Sequence, residues 1–242
     1  MAAIEVRGLC KLYGEKLALD HVSFEVKEGR FFGCFGPNGA GKSTLLRILT
    51  GQIQQTAGEA EVLGLDCRTQ AIQVKRLVGI VPEVESPPSY LTAREFLEFA
   101  GQVREVDGLE KRVDHWLGFF DLNEAEGTLC KDLSKGMRQK IMLASAFIHE
   151  PKLLFLDEAF INLDPIYQKR LRDYLLMLRD QGRTVFLCSH ILEIAQRLCQ
   201  EAIVLDKGRL VAHENVGEMA ARGESLESLF LRLVGDGNGT AP

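Results

Sequence analysis

What this sequence lacks narrows its class before any motif is read. No apolar run approaches the roughly 18 residues that would suggest a membrane span, and Glu5 and Arg7 interrupt the start of the chain, where a secretory leader needs its apolar stretch. The chain is therefore expected to stay in the cytosol. Positive charge is not in surplus: 29 Lys and Arg against 34 Asp and Glu leave a formal net charge of −5. That balance argues against a protein that grips nucleic acid through a broad basic face. The six cysteines never fall in a C-x-x-C spacing, and the five histidines lack the paired spacing of a zinc site. Most of the cysteines sit inside apolar runs, so buried thiols are expected in place of metal or redox centres. What is present is 242 residues with 46% hydrophobic and 26% charged content. This is enough apolar material for one large domain, or one domain carrying an inserted subdomain.

The stretch around which the rest is organised runs from Arg30 to Gly51 and reads RFFGCFGPNGAGKSTLLRILTG. Phe31 to Phe35 is strand-like, and Leu45, Leu46, Ile48 and Leu49 follow at helical spacing. Between them, Gly36, Gly41, Lys42 and Ser43 fill the pattern Gly, four residues, Gly, Lys, then Ser or Thr. Gly36, Gly39 and Gly41 allow turns that a Cβ would forbid, so successive backbone N–H groups can face a phosphate chain. Lys42 adds a full positive charge for the β- and γ-phosphates, and the Ser43 hydroxyl is placed to ligate Mg²⁺. The helix beginning here directs its positive end at the same group.

Along the chain, Ile4 to Leu12 and Val22 to Val26 alternate as two half-buried antiparallel strands, with the turn near Gly14. Tyr13 lies between them, as core filling or as a platform for a flat ring. Ala60 to Leu63 and Val78 to Val81 are further strand candidates, and Glu83 to Ser89 must be a loop. Thr92 and Glu95 match a helix capping box, with Phe96, Leu97 and Phe99 as the apolar face. A second helix is expected over Leu109 to Phe120, and a third after Ser134 as its N-cap. Three helices in succession suggest an inserted helical lobe. Leu153 to Leu156 then reads as a buried parallel strand, followed by a helix capped by Asp164 and Pro165. Thr184 to Cys188 is another buried strand, a hairpin turns at Lys207-Gly208, and a small amphipathic helix spans Ser225 to Leu233 before a loose tail.

In an open parallel sheet, ligands bind at the carboxyl ends of the strands. Three such ends carry reactive groups here: the glycine loop after Phe35, Asp157-Glu158 after Leu156, and His190 after Cys188. Were they neighbours, Asp157 would hold Mg²⁺ opposite Ser43, Glu158 would polarise an attacking water, and His190 would donate to the γ-phosphate. Singly, an acidic pair after a strand also serves as a helix cap, and a lone histidine is often structural.

Over nearly its whole length the chain resembles the nucleotide-binding subunit of an ABC transporter, in the exporter-like branch whose permease is a separate polypeptide. The resemblance rests on motifs in order: Tyr13, the loop Gly36 to Thr44, Glu83, Leu133-Ser134-Lys135-Gly136-Met137, LLFLDE ending in Asp157 and Glu158, Asn162-Leu163-Asp164, and His190. It implies an α/β P-loop NTPase fold: a mostly parallel core sheet, an antiparallel β-subdomain and an inserted α-helical subdomain near 84–150, all within 1–235, and a flexible tail at 236–242. It implies ATP and Mg²⁺ as cofactors. Tyr13, Gly36, Pro37, Asn38, Gly39, Ala40, Gly41, Lys42, Ser43 and Thr44 would bind the nucleotide, and Ser43, Glu83 and Asp157 the metal. Glu158, His190 and Lys42 would be catalytic. Ser134 and Gly136 would close over ATP held by the loop of a second copy, or of a homologous ATPase subunit. The implied partners further include an integral membrane permease and no nucleic acid, which would place the chain on the cytoplasmic face of the cell membrane.

Two positions depart from the family pattern. Lys135 and Met137 alter the usual Leu-Ser-Gly-Gly-Gln signature, while Ser134 and Gly136 keep the anion clamp. Glu83 stands where a glutamine is usual; it still offers a metal ligand but adds negative charge beside the phosphates. A soluble ATPase of the same type, acting in assembly or translation without a membrane partner, is the competing expectation. Translation factors of this kind carry two cassettes and basic linkers, and repair ATPases a long coiled-coil insertion, none of which this chain supplies.

Overall fold

In the computed structural model, residues 1–234 are described; the tail expected at 236–242 lies outside them. The expected hairpin is present: β1 (Ala2–Tyr13) and β2 (Lys16–Lys27) pair antiparallel around Gly14. Next come β3 (Phe31–Phe35), the glycine loop and α1 (Lys42–Leu49). The chain returns to the first sheet as β4 (Ala57–Val62) and β5 (Leu65–Asp66), giving the order β2-β1-β4-β5. After α2 (Ala71–Leu77) and β6 (Val78–Val81), three helices follow: α3 (Ala93–Gln102), α4 (Leu109–Phe119) and α5 (Lys135–Phe147).

Strand and helix then alternate through β7 (Leu153–Asp157), α6 (Pro165–Asp180), β8 (Thr184–Cys188), α7 (Leu192–Leu198), β9 (Glu201–Asp206) and β10 (Arg209–Asn215). Helices α8 (Val216–Ala221) and α9 (Leu226–Val234) end the described chain. The larger sheet has the order β10-β9-β3-β8-β7-β6, parallel except for β10.

Every residue of β3, β7 and β8 is buried, which is why these strands read as unbroken apolar runs. Their alternate residues serve two cores. Phe31, Phe35, Leu154, Leu156, Val185 and Leu187 pack with the helices, while Phe32, Cys34, Phe155, Phe186 and Cys188 face α1 and the small sheet. Phe24 of β2 stacks on Phe32 at 5.5 Å, joining the two sheets. All six cysteines are buried and free, as expected. Cys10 lies close to Asp20 and His21, but Asp20 is held by Arg209 Nε at 2.7 Å.

The helix starts follow their caps. Thr92 and Glu95 form the reciprocal capping box of α3, Ser134 accepts from the Met137 N–H, and Asp164 accepts from Ile166 and Tyr167. One expectation fails: Phe99 is 53% exposed. It sits two residues after Leu97, about 200° round the helix, so Phe96, Leu97 and Ala100 take the core face. Helix α2 shows little apolar periodicity, and α8, at six residues, is too short for a period to mark it although Val216 and Met219 are buried. Val74 is the one buried residue of α2, and its Ile72 is 72% exposed.

Candidate active site

The sheet order decides which loops meet. Strands β3, β8 and β7 are parallel neighbours, with Cys34 beside Cys188 and Cys188 beside Asp157. Strand β6 is next to β7, with Val81 beside Leu156. The glycine loop, Ser189-His190, Asp157-Glu158 and Pro82-Glu83 therefore leave the sheet side by side, at its carboxyl edge. A cleft of about 510 Å³ opens there, bounded by Tyr13, residues 38–44, Glu83, Asp157 and Glu158.

The glycine loop is set by close approach of backbone. Gly36 has φ +155°, and a Cβ there would stand 2.3 Å from the Leu205 carbonyl oxygen. Gly41 has φ +110°, and its Cβ would stand 2.7 Å from the Ala18 carbonyl oxygen. Only glycine fits either place. Lys42 Nζ donates to the carbonyls of Gly36 at 2.7 Å and Pro37 at 3.2 Å. The loop thus holds its own cation at its mouth, and α1 begins at Lys42 with its N–H groups facing the cleft edge.

Around Ser43 the charge is negative. Its hydroxyl donates to Glu83 Oε2 at 3.5 Å, and Asp157 is 5% exposed. Burial first, then repulsion from Glu83 and Glu158, pushes the Asp157 carboxyl up to about 6; Lys42 and the Ser43 hydroxyl oppose the shift. Glu158 is held in the left-handed region at φ +51°. Its Oε2 accepts from the Ser189 hydroxyl at 3.4 Å and the His190 N–H at 3.3 Å, and lies 2.9 Å from His190 Nδ1. Three contacts therefore fix one carboxylate oxygen of a residue that also lines the cleft.

Tyr13 is 45% exposed at the cleft's rim, which excludes its reading as core filling. His190 does not line the cleft and reaches it through Glu158. Ser134 and Gly136 do not line it either. They stand at the start of α5, where Ser134 caps the helix and a Cβ on Gly136 would lie 2.9 Å from the Asn162 carbonyl. No motif marks Lys16 or Ser189, which the fold brings to the cleft and to Glu158. Lys16 pairs with Tyr13 across the hairpin and lines the cleft, a position that hairpin register alone could have flagged.

A lysine-bearing glycine loop beside paired buried carboxylates, on neighbouring parallel strands, makes this a P-loop nucleotide-binding protein with the groups for ATP hydrolysis. The model of the family described as ABC transporter matches residues 19–161, more than half of the chain, and the chain belongs to that family. It is an ATP-binding cassette ATPase. An uncharacterised ABC transporter ATP-binding protein of Methanocaldococcus jannaschii is 34% identical over 228 residues, covering 93% of this chain and 82% of that one. The Nod factor export ATP-binding protein I of Neorhizobium galegae is 34% identical over 212 residues, covering 87% of this chain. The chain spans 61% of that relative. Among solved structures, an ATP-binding subunit of an ABC transporter superposes with TM-score 0.89 at 29% identity, covering 96% of this chain and 99% of that one. A dimeric bacterial ABC transporter cassette superposes with TM-score 0.81 at 25% identity, covering 88% and 98%.

Proposed function

We propose that this chain is the ATPase subunit of an exporter whose permease is a separate polypeptide, and that it works as a pair of cassettes enclosing two ATP molecules. The observation that carries this reading is the convergence of Lys42, Ser43, Asp157 and Glu158 at adjacent strand ends, while Ser134 and Gly136, at the start of α5, lie outside that cleft. A dimeric relative in solved form and an export protein among the curated relatives support pairing and direction. No helix among the described residues is long and apolar enough to cross a membrane. In this reading the membrane partner is a permease, with the lobe near 84–150 passing motion to it at the cytoplasmic face and residues 1–235 acting as one ATP-binding unit.

In this mechanism the backbone N–H groups of residues 36–44 wrap the phosphates, Lys42 leaves its loop carbonyls to meet the β- and γ-phosphates, and Tyr13 stacks on the base. Glu158 orients and deprotonates the attacking water through its free oxygen, while His190 holds its other oxygen and reaches the γ-phosphate. Ser43, Glu83 and Asp157 would hold Mg²⁺: a hydroxyl beside crowded carboxylates, one of them buried enough to favour its proton, suits a divalent cation. When bound, Mg²⁺ would neutralise charge developing on the phosphates.

Replacing Glu158 with Gln should keep ATP binding, abolish turnover and accumulate an ATP-bound dimer on size-exclusion chromatography. Normal turnover in that variant would overturn the role of Glu158; a strictly monomeric, ATP-saturated variant would overturn the pairing.

A further inference from the structure

A second cleft, of about 490 Å³, lies at the amino end of β7, opposite the end that carries Asp157. Its floor is aromatic. Trp116, Phe147 and Tyr174 meet with ring centroids 5.1 to 5.3 Å apart, and Leu154 and Leu178 complete the apolar wall. The rim is cationic: Lys111, Arg112 and Arg183 against one carboxylate, Glu150. Glu150 pairs with Arg112 at 2.7 Å, and Arg183 donates to the backbone carbonyl of Glu150 at 3.0 Å. Among the described residues, neither Lys111 nor Arg183 forms an ion pair with a carboxylate.

Two aromatic donors point the same way. Among the described residues, the Trp116 indole N–H and the Tyr174 hydroxyl have no hydrogen-bond partner, and neither belongs to the polar atoms sealed from solvent. Burial, with Glu150 nearby, raises the Tyr174 phenol to about 12, so it stays a neutral donor near pH 7. A closed apolar floor, two open donors and a surplus of positive charge complement a flat apolar body bearing an anionic acceptor. The volume suits a small molecule, since such sites are roughly 300–1,000 Å³.

We propose that this cleft is a binding site for a small aromatic carboxylate, independent of ATP. The ring would lie against Tyr174 and Met177, which stay partly open above the buried Trp116 and Phe147, and the carboxylate would accept from Trp116 and Tyr174 while facing Lys111 and Arg183. Because α4, α5, β7 and α6 all contribute, an occupant would tie the helical lobe to the core sheet.

Trp116 is the only tryptophan of the chain, so its fluorescence reports the cleft directly. Titration of the full chain with 4-nitrobenzoate should quench it saturably with a midpoint below about 1 mM, the range expected of a fragment-sized ligand. Uncharged 4-nitrobenzyl alcohol should bind at least about fivefold more weakly, and saturating 4-nitrobenzoate should raise the unfolding temperature. Lys111→Glu, at an exposed position, should weaken binding by about fivefold or more, and Tyr174→Phe by a factor of a few. Saturating ATP should leave the midpoint unchanged. Linear, unsaturated quenching, equal binding of the alcohol, indifference to both substitutions, or displacement by ATP would each overturn the proposal.

Discussion

Glu158 occupies the left-handed region at φ +51°, and its N–H bonds to the Cys188 carbonyl at 2.9 Å. A non-glycine residue held there stores strain that the surroundings must over-determine. Here the constraint comes from β8 and from Ser189 and His190, which grip the same carboxylate oxygen. At Gly36 the constraint is purely steric. Gly36→Ala drives a Cβ against the Leu205 carbonyl, which should cost about 1–3 kcal/mol and lower ATP affinity at least tenfold, measured by thermal unfolding and titration calorimetry. His149 supplies a pH-dependent term. Neither of its ring nitrogens makes a hydrogen bond of good geometry, and burial, then Arg104 and Arg112, lowers its pKa from 6.5 to about 4. Above pH 6.5 both folded and unfolded chains carry it neutral. As pH falls from 6.5 towards 4, the unfolded chain takes a proton that the native state refuses, so stability drops by up to roughly 3 kcal/mol. His149→Leu should lose that part of the slope in urea unfolding compared at pH 7 and pH 4.5.

Among the helices, ends matter more than middles. The start of α3 is secured by Thr92 and Glu95, each accepting a backbone N–H of the other, and Ala93 and Arg94 bond across to the segment before α5. Thr92→Ala should cost about 1 kcal/mol and lower the melting temperature by about 2–4 °C, with ATP affinity unchanged. Helix α5 has a different anchor: Gln139, 2% exposed, donates from Nε2 to the Ala159 carbonyl at 3.0 Å. That bond links the helix carrying Ser134 and Gly136 to the segment just after Glu158. Gln139→Ala leaves the carbonyl unpaired in a buried site, a loss of about 1–3 kcal/mol, with a larger fall in ATPase activity than in ATP affinity.

At the scale of the whole molecule, the phosphate loop and the α5 start belong to one chain but do not share one cleft. If catalysis needs both, two inactive variants must rescue each other. Lys42→Ala and Ser134→Arg should each abolish turnover; mixed in equal amounts they should restore up to about a quarter of wild-type activity, because half of random dimers contain one intact composite site. Absence of rescue despite mixed dimers would place the complete site within one chain.

The glycine loop, the acidic strand end, the helix caps and the buried strands were legible from sequence because each depends on residues adjacent in the chain or at one short period. Tyr13 was not settled that way, since exposure is a property of the folded surface. Nor could sequence give the order β3-β8-β7-β6, which buries Asp157, brings Glu83 near it and so raises its proton affinity. Strands buried on both faces read alike, so their order is decided by how alternate side chains fill two separate cores. The sequence by itself determined the chemical groups and the local turns that aim them. Tertiary structure alone decided which groups became neighbours, because only long-range packing fixes the distances over which charges act.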